Sequence, residues 1–306
     1  MNKTGSKTKL LPVQGKDMDS IMKSLAKGVT EYFTSEKYGE YLKTMMNFHQ
    51  YSFNNILLIL MQCPDATFVT GYHNWQTMGR QVNHGEKGIT IIAPVKIKKK
   101  IKEKKKDNDY AEEETEITYT KYKTISVFDI SQTSGKSLPD INPHDLEGAI
   151  EDYELFRNAA IAISPVPVRF DAIEGGSHGY YDLNNKEIVI LKGMSERQTI
   201  KTLLHEITHA YLHNREKMEK TKDKKSRGTK EVEAESTAYC VCNFFGLSTD
   251  EYSFPYIVGW SNKSNMKELR KSMDIIKTTS SKIIGDLERQ LKGNGLYNYK
   301  VVEQTA

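Results

Sequence analysis

The segment His205-Glu206-Ile207-Thr208-His209 carries two histidines four residues apart, with a glutamate directly after the first. On an α-helix, residues four apart leave the same face, so both imidazoles can bind one metal ion. Ser195-Glu196-Arg197-Gln198 precedes the segment as a helix N-cap box. The apolar stripe of a packed helix runs through the region at Ile200, Leu203, Leu204, Ile207 and Tyr211. The pattern predicts a metal-binding helix.

The ligand types favour zinc. Neutral imidazole is a standard zinc ligand, and a catalytic zinc site combines three protein ligands with an open position for water. Zinc lowers the pKa of that water, while a neighbouring carboxylate can take its proton and deliver it to a leaving amine. We therefore predict His205 and His209 as metal ligands and Glu206 as the catalytic residue of peptide hydrolysis. His213 lies about 12 Å further along the helix axis from His205, too far to share the ion.

The third ligand is expected from an acidic helix that follows. Glu231 and Glu235 share one face of this helix, and Glu233 points away from them. The shared face also carries Ala238 and Tyr239, which suit packing beside the histidine helix, so we favour Glu235. Glu231 and Glu233 are otherwise explained as a solvated acidic helix N-terminus.

Composition excludes membrane and disulfide-rich classes. The 306 residues suffice for two domains, and 38% hydrophobic with 27% charged residues describes a soluble protein. The longest apolar run, Ile56 to Met61, is far too short to span a bilayer. The three cysteines form no disulfide framework, and the N-terminus has no signal-peptide hydrophobic region. We expect a cytoplasmic protein with no membrane partner.

Periodicity predicts an α+β fold. Helical spacing of apolar residues from Asp17 to Tyr41 is followed by β-rich segments, of which residues 89–95 and 117–130 bracket a lysine and glutamate insertion. We expect this insertion, Lys96 to Glu116, to be the mobile tip of a hairpin. The polar residues Thr133 to Pro143 are the best candidate linker. Beyond them we expect a helix over 143–162 and a hairpin over 179–191.

The histidine helix and its acidic partner resemble the ImmA/IrrE-type zincins and the C-terminal domain of ArdC-type antirestriction proteins. The resemblance rests on His205 to His209, on Glu233-Ala234-Glu235 and on Ala238-Tyr239. It implies a gluzincin-type site with a glutamate as third ligand. The family's helix motif aligns with Glu235 and Tyr239, and another register would align it with Glu231.

The N-terminal half is similar to the single-stranded-DNA-binding domain of ArdC-type proteins. The matching residues are Ser52 to Leu58, Trp75, Gly79-Arg80, Gly85 to Ile89 and Val127 to Thr133. The insertion from Lys96 is not part of that family pattern. The resemblance implies a mobile genetic element that protects incoming DNA.

Single-stranded DNA sites combine cations for the phosphates with aromatic rings for base stacking. Residues 1–140 contain more Lys and Arg than Asp and Glu, and they supply the candidate contacts Tyr72, Trp75, Arg80 and Lys87. Trp75 and Tyr72 are equally well explained as core aromatics. We expect a disordered lead-in at 1–16, the DNA-binding domain at 17–140 and the zincin-like domain at 141–306.

Two functions fit these features. The first is an antirestriction-type protein that binds single-stranded DNA and carries a zinc metallopeptidase-like C-terminal domain. The alternative is a regulatory zinc metalloendopeptidase that cleaves a repressor protein and reaches it through the N-terminal domain. A purely structural zinc is disfavoured, because zinc retention alone does not require Glu206.

Overall fold

The computed structural model describes residues 13, 15, 17–34, 37–105, 108–137, 150–214, 216, 218–219, 225–247 and 266–293. The predicted lead-in at 1–16 and the boundary near 140 therefore lie almost wholly outside the described residues. Two compact units emerge. One comprises the chain up to Gly28 together with Leu57–Lys136, and the other comprises Val29–Ile56 together with the chain from Ser137 onward. Residues 29–56, which the sequence grouped with the N-terminal domain, fall in the second compact unit, and the domain bounds 17–140 and 141–306 stay a prediction.

Helices and strands mix in both units, which confirms the predicted α+β class. The division between the units passes through helices α1 (Met18–Tyr32) and α3 (Phe53–Gln62), and α2 (Tyr38–Asn47) belongs to the second unit. The first unit continues with β1 (Val69–Gly71), α4 (Tyr72–Thr77), β2 (Arg80–Val82), β3 (Ile89–Lys105), β4 (Asn108–Asp129) and β5 (Thr133–Gly135).

The first unit is built on an antiparallel sheet of order β1-β4-β3, with a separate β2-β5 pair. Its core collects the apolar residues Leu57, Leu58, Phe68, Trp75, Ile89 and Val127. The Gln62 side chain joins helix α3 to β3, because its amide accepts from the Thr90 N–H at 2.9 Å and donates to the Thr90 carbonyl at 2.9 Å. The Gln62 amide thus makes the hydrogen bonds that a neighbouring strand would make on this side of β3.

Strands β3 and β4 form one long hairpin. Their register runs from Ile89 opposite Val127 to Lys104 opposite Glu112. The sequence analysis ended the strands at residue 95 and resumed them at 117, whereas the backbone ladder continues through the insertion. Ladder hydrogen bonds join backbone groups, so pairing that begins in the predicted strands 89–95 and 117–130 can continue into a segment of charged residues.

The predicted linker begins later than expected, because Thr133–Gly135 form β5 and pair with Arg80–Val82. Gly135 has a positive φ of 132°, and a Cβ there would lie 2.5 Å from the Gly79 carbonyl oxygen. The rest of the proposed linker, from residue 138, lies outside the described residues. Gly135 is therefore required by a close backbone approach rather than by a flexible connection.

The second unit holds α2, α5 (Ile150–Ala162), β6 (Val168–Asp171), β7 (Gly179–Asp182), β8 (Glu187–Leu191), α6 (Glu196–Leu212), α7 (Arg227–Phe244) and α8 (Met266–Gly293). Its sheet has the order β6-β8-β7, with β6 parallel and β7 antiparallel to β8. The expected hairpin over 179–191 is present. Helix α7 packs against α2, α6 and α8.

Strand β7 lies close against α6. A Cβ on Gly179 would come within 2.7 Å of the Thr202 Cγ2 atom, so only glycine allows this approach. Ser195 caps α6 by accepting from the Gln198 N–H, as the sequence predicts. The packing sets the histidine segment directly beneath the edge of the sheet.

The interior of the second unit is mixed apolar and polar. The Tyr38 hydroxyl lies 2.9 Å from the Ser236 hydroxyl, joining α2 to α7. Cys240 and Cys242 are buried free thiols, in line with the expectation of core cysteines. Within the described part of the chain, no helix has the length and apolarity needed to cross a membrane.

Candidate metal centre

Helix α6 presents both histidines of the motif on one face. The Nε2 atoms of His205 and His209 lie 3.1 Å apart, and both rings are partly buried. Glu206, between them in sequence, is 7% exposed. The four-residue spacing thus brings two imidazole nitrogens to a common point, as the sequence predicts.

The carboxylate that joins them comes from Glu231 on helix α7. Its Oε2 atom lies 3.5 Å from His205 Nε2 and 3.7 Å from His209 Nε2. Among the described residues, His205, His209 and Glu231 form the group whose donor atoms could hold one metal ion. Glu235, which the sequence analysis preferred, lies one helical turn further along α7 and is outside this group, so the choice of third ligand stays a prediction.

Glu235 instead lies behind His205. Its Oε2 atom is 3.2 Å from His205 Nδ1, and its Oε1 atom is 3.2 Å from Lys201 Nζ. A carboxylate accepts only, so His205 Nδ1 carries a hydrogen, and His205 Nε2 offers its lone pair to a metal ion when the ion displaces the proton on that nitrogen. Glu235 thereby fixes the tautomer and orientation of a candidate ligand.

His209 is oriented through a second histidine. Its Nδ1 atom lies 2.9 Å from His213 Nδ1, and His213 Nε2 lies 3.0 Å from Glu233 Oε2. Glu233 accepts from His213 Nε2, so Nδ1 of the neutral His213 ring accepts from His209 Nδ1. His209 Nε2 therefore also presents a lone pair to the site.

Glu233 is fully buried, which corrects the expectation of a solvated helix end. Burial opposes ionisation of Glu233, but hydrogen bonds from His213, Lys225 and Ser272 outweigh it and hold the pKa of Glu233 below its usual range. Burial lowers the pKa of His213 despite the bond to Glu233. An ionised glutamate next to a neutral histidine is the state that the chain of hydrogen bonds requires.

These donors fit a divalent metal ion. Two imidazole nitrogens 3.1 Å apart require a proton or a metal ion between them. Ligand atoms at zinc-like bond lengths in a tetrahedral site are about 3.3 Å apart, close to the three separations observed. Burial opposes protonation of His205, but hydrogen bonds with Glu231 and Glu235 raise its pKa to about 9. The site is built to attract positive charge.

Glu206 meets the requirements of an acid–base residue. Burial raises the pKa of Glu206, while the neighbouring His205 and His209 act in the opposite direction. A carboxyl group with a raised pKa exchanges protons more readily near neutral pH. Glu206, which would transfer the proton, thus lies directly beside His205 and His209, which would hold the metal.

The candidate DNA contacts divide into core and surface residues. Trp75 is fully buried, and its Nε1 donates to the Phe128 carbonyl at 3.0 Å. The Arg80 guanidinium donates to the Thr133 hydroxyl, the Thr133 carbonyl and the Lys136 carbonyl. Trp75 and Arg80 therefore hold the first unit together. The Trp75 ring is fully buried, so it has no exposed face on which a base could stack.

Tyr72 and Lys87 remain at the surface. Tyr72 is 40% exposed, its hydroxyl accepts from Gln81 Nε2 at 2.7 Å, and its ring lies 6.4 Å from that of Phe128. The Lys87 carbonyl accepts from Gln132 Nε2, while its side chain is exposed. Both side chains are free to meet a ligand on the outside of the sheet.

Sequence reasoning missed the residues that support the motifs. Asp129 is buried and accepts from the N–H groups of Thr67, Phe68 and Ser131. In the second unit, His213 and Glu233 were set aside because neither could reach the ion. The one available signal was the spacing of His213 four residues after His209, which indicates contact between the rings rather than shared ligation.

Two family models match the chain. One is described as the N-terminal domain of anti-restriction factor ArdC and covers residues 13–128. The other is the IrrE N-terminal-like domain of peptidase family M78 and covers residues 166–242. The chain therefore combines an ArdC-type N-terminal domain with an IrrE-like domain. Its IrrE-like domain includes the whole group of His205, His209 and Glu231, so both resemblances found in the sequence are confirmed.

Individual relatives agree with the family. An uncharacterized Bacillus anthracis protein, pXO2-81, is 29% identical over 92% of this chain. The chain spans about half of that relative, 54% of its length. Metal-free antirestriction protein ArdC from plasmid R388 aligns over 79% of this chain and 86% of its own, at 22% identity and a TM-score of 0.50. Its Mn(II)-bound structure aligns over 87% and 97%, at 21% identity and a TM-score of 0.53. These structures share the fold.

Proposed function

We propose that this chain is a cytoplasmic antirestriction protein of a mobile genetic element, which binds single-stranded DNA through its first unit and carries a zinc metallopeptidase of the gluzincin type in its second. The observation that carries the proposal is the meeting of two histidine lone pairs and the Glu231 carboxylate beside the buried Glu206. Metallopeptidase sites combine these same donor types with an adjacent acid–base carboxylate.

His205, His209 and Glu231 would hold the ion, in agreement with the match to a peptidase family. A divalent ion bound there supplies Lewis acidity and makes water more acidic. Glu206 accepts the proton of the attacking water on its carboxylate and returns it to the leaving amine. Glu235 and the Glu233–His213 pair keep the two imidazoles in the tautomer that can bind metal.

The edge of the sheet supports a peptide substrate. Strand β7 pairs with β8 on one side, and within the described sheet it has no strand on the other. An extended peptide can add to such an edge through its backbone groups. Because β7 also packs on α6 at Gly179, a peptide bound there would run past the motif.

The DNA-binding half of the proposal rests on the ArdC model match and on the basic excess of residues 1–140. Phosphate contacts by Lys and Arg supply the affinity for any single strand, and base stacking adds to it. Tyr72 and Lys87 supply one group of each kind at the surface of the first unit.

Three measurements on the full chain test the proposal. We expect about one zinc per chain, cleavage of a mixed peptide library, and binding of a labelled oligothymidylate. Glu206→Gln should abolish cleavage while zinc content and DNA binding stay unchanged, and Glu196→Gln on the exposed start of the same helix should leave all three intact. A chain that cleaves no peptide with its zinc in place would reduce the second unit to a binding module.

The antirestriction role has its own assay. Unmodified DNA entering a restricting host should survive more often when the chain is present. If single-strand binding is intact and survival is unchanged, the alternative of a regulatory peptidase that cleaves a repressor gains support.

A further inference from the structure

The long hairpin of the first unit carries a surface suited to nucleic acid. We propose that residues 93–99 of β3 and 117–124 of β4, called the ribbon below, form the main contact surface for single-stranded DNA. The inference rests on the proposed DNA binding and names the site for it. The ribbon takes the place of Trp75 and Arg80 as candidate DNA contacts, because the side chains of these two residues form hydrogen bonds within the first unit.

The register defines the two faces of the ribbon. Opposite pairs in an antiparallel ladder lie on the same face, and successive pairs alternate between faces. Pro94 is opposite Tyr122, Lys96 is opposite Thr120 and Lys98 is opposite Thr118. One face therefore carries two lysines, two threonines and a tyrosine. The other carries Ile97 opposite Tyr119 and Val95 opposite Lys121.

The charged residues of the ribbon are all positive. They are five lysines, of which Lys96 and Lys98 lie on the face with Tyr122, and Lys99, Lys121 and Lys123 lie on the face with Tyr119. The ribbon has no aspartate or glutamate. All five side chains are exposed. The acidic block of the insertion begins only beyond the ribbon, at Glu116. A cationic stretch of this kind attracts the phosphates of a strand and releases its counterions.

Exposed aromatic rings lie among these lysines. Tyr122 is 64% exposed and Tyr119 is 38% exposed, although tyrosines normally bury most of their ring. Lysines beside an exposed aromatic ring suit single-stranded DNA, because the lysines bind its phosphates and unpaired bases stack on the ring. A charged face that serves only to keep the hairpin solvated does not account for exposed tyrosines.

The ribbon face that carries Tyr122 continues along β4 into the β1-β4-β3 sheet. Phe128 lies six residues further along β4 and so points to the same side, and its ring contacts that of Tyr72. Ser126, between them, is exposed. A strand laid on this face would pass from the ribbon to Tyr72, the one aromatic candidate from the sequence that is still at the surface. Duplex DNA offers no unpaired base to these rings.

The test measures binding of a fluorescein-labelled oligothymidylate to the full chain by fluorescence anisotropy over a salt series. Tyr122→Ala should weaken binding roughly 5- to 150-fold, since stacking on one aromatic ring contributes about 1–3 kcal/mol per base. Tyr122→Phe should bind like the unsubstituted chain. Lys96→Gln with Lys98→Gln should reduce the slope of log K against log salt by about 1.4, the effect of two lost phosphate contacts.

Controls come from the second unit. Tyr180→Ala removes another exposed tyrosine, and Lys271→Gln with Lys292→Gln removes the same charge, so neither should change binding. If the unsubstituted chain fails to bind the oligonucleotide, the proposed DNA binding fails. If it binds and the ribbon variants bind as tightly with an unchanged salt slope, only the ribbon is refuted. Equal binding of a duplex, insensitive to Tyr122→Ala, would also overturn the inference.

Discussion

The Nδ1 atom of His209 lies 2.9 Å from the Nδ1 atom of His213, which in turn is held by the buried Glu233. A candidate metal ligand is thus oriented through an intervening histidine rather than directly by a carboxylate. We expect His213→Ala to lower zinc affinity about 10- to 100-fold, the usual effect of losing an outer hydrogen-bond partner. Competition with a chelator of known affinity measures this loss. His178→Ala, which changes an exposed histidine of the same unit, should have no effect.

The positions of Glu231 and Glu235 predict losses of zinc affinity of different size for two similar substitutions. Glu231→Ala removes the carboxylate closest to both Nε2 atoms, and it should lower zinc affinity by more than about 100-fold. Glu235→Ala removes only the partner of His205 Nδ1, and its effect should stay within about 10- to 100-fold. Metal content after dialysis distinguishes the two variants. Full zinc retention in Glu231→Ala would return the ligand role to Glu235.

Metal binding should stabilise the second unit. A ligand at 1,000 times its dissociation constant adds about 4 kcal/mol to the free energy of unfolding. Chelation should therefore lower the melting temperature of the unsubstituted chain. The double variant His205→Ala with His209→Ala should melt at one temperature whether or not zinc is present, and a zinc-dependent shift in that variant would place the metal elsewhere.

The carboxylate of Asp129 organises the start of the first unit's sheet. Asp129→Ala leaves three backbone N–H groups without their acceptor. Thr67 and Ser131 are exposed, so water can replace the carboxylate there, whereas the buried N–H of Phe68 costs about 1–3 kcal/mol when unpaired. We expect a loss of at least about 1 kcal/mol in the free energy of unfolding, measured in urea. Asp65→Ala, at an exposed site of the same unit, should change stability by less than about 0.5 kcal/mol.

The buried indole of Trp75 predicts a folding effect. Trp75→Ala should destabilise the chain by about 3–5 kcal/mol, the range for removing a large core aromatic residue. Tyr72→Ala, at the surface of the same helix, should leave the unfolding midpoint nearly unchanged. If Trp75→Ala kept full stability and lost only DNA binding, the indole would be a stacking residue after all.

Local patterns were enough to find the centre of the site. Helical periodicity and the four-residue spacing of His205 and His209 are properties of one helix, so the sequence alone places these side chains together. The choice between Glu231 and Glu235 depends on how far α7 slides along α6. That offset is a tertiary quantity, and both residues lie on the same helix face.

The N-terminal half was harder to interpret. Aromatic and basic residues serve equally well in a core and on a DNA-binding surface, and burial alone separates Trp75 from Tyr122. The charge pattern of the insertion indicated a loop, because side-chain polarity does not reveal that backbone pairing continues along the hairpin of β3 and β4. Residues 29–56 give no sequence signal of the unit to which they belong.

The assignment of Val29–Ile56 to the second unit makes that unit discontinuous along the chain. A single cut near residue 140 would leave Tyr38, Tyr41, Leu42 and Met45, all fully buried, attached to a fragment that lacks helix α7. Such a fragment would expose these apolar side chains to water, and we expect it to aggregate. An intact second unit must therefore be produced from both stretches of the chain, Val29–Ile56 and the part from Ser137 onward.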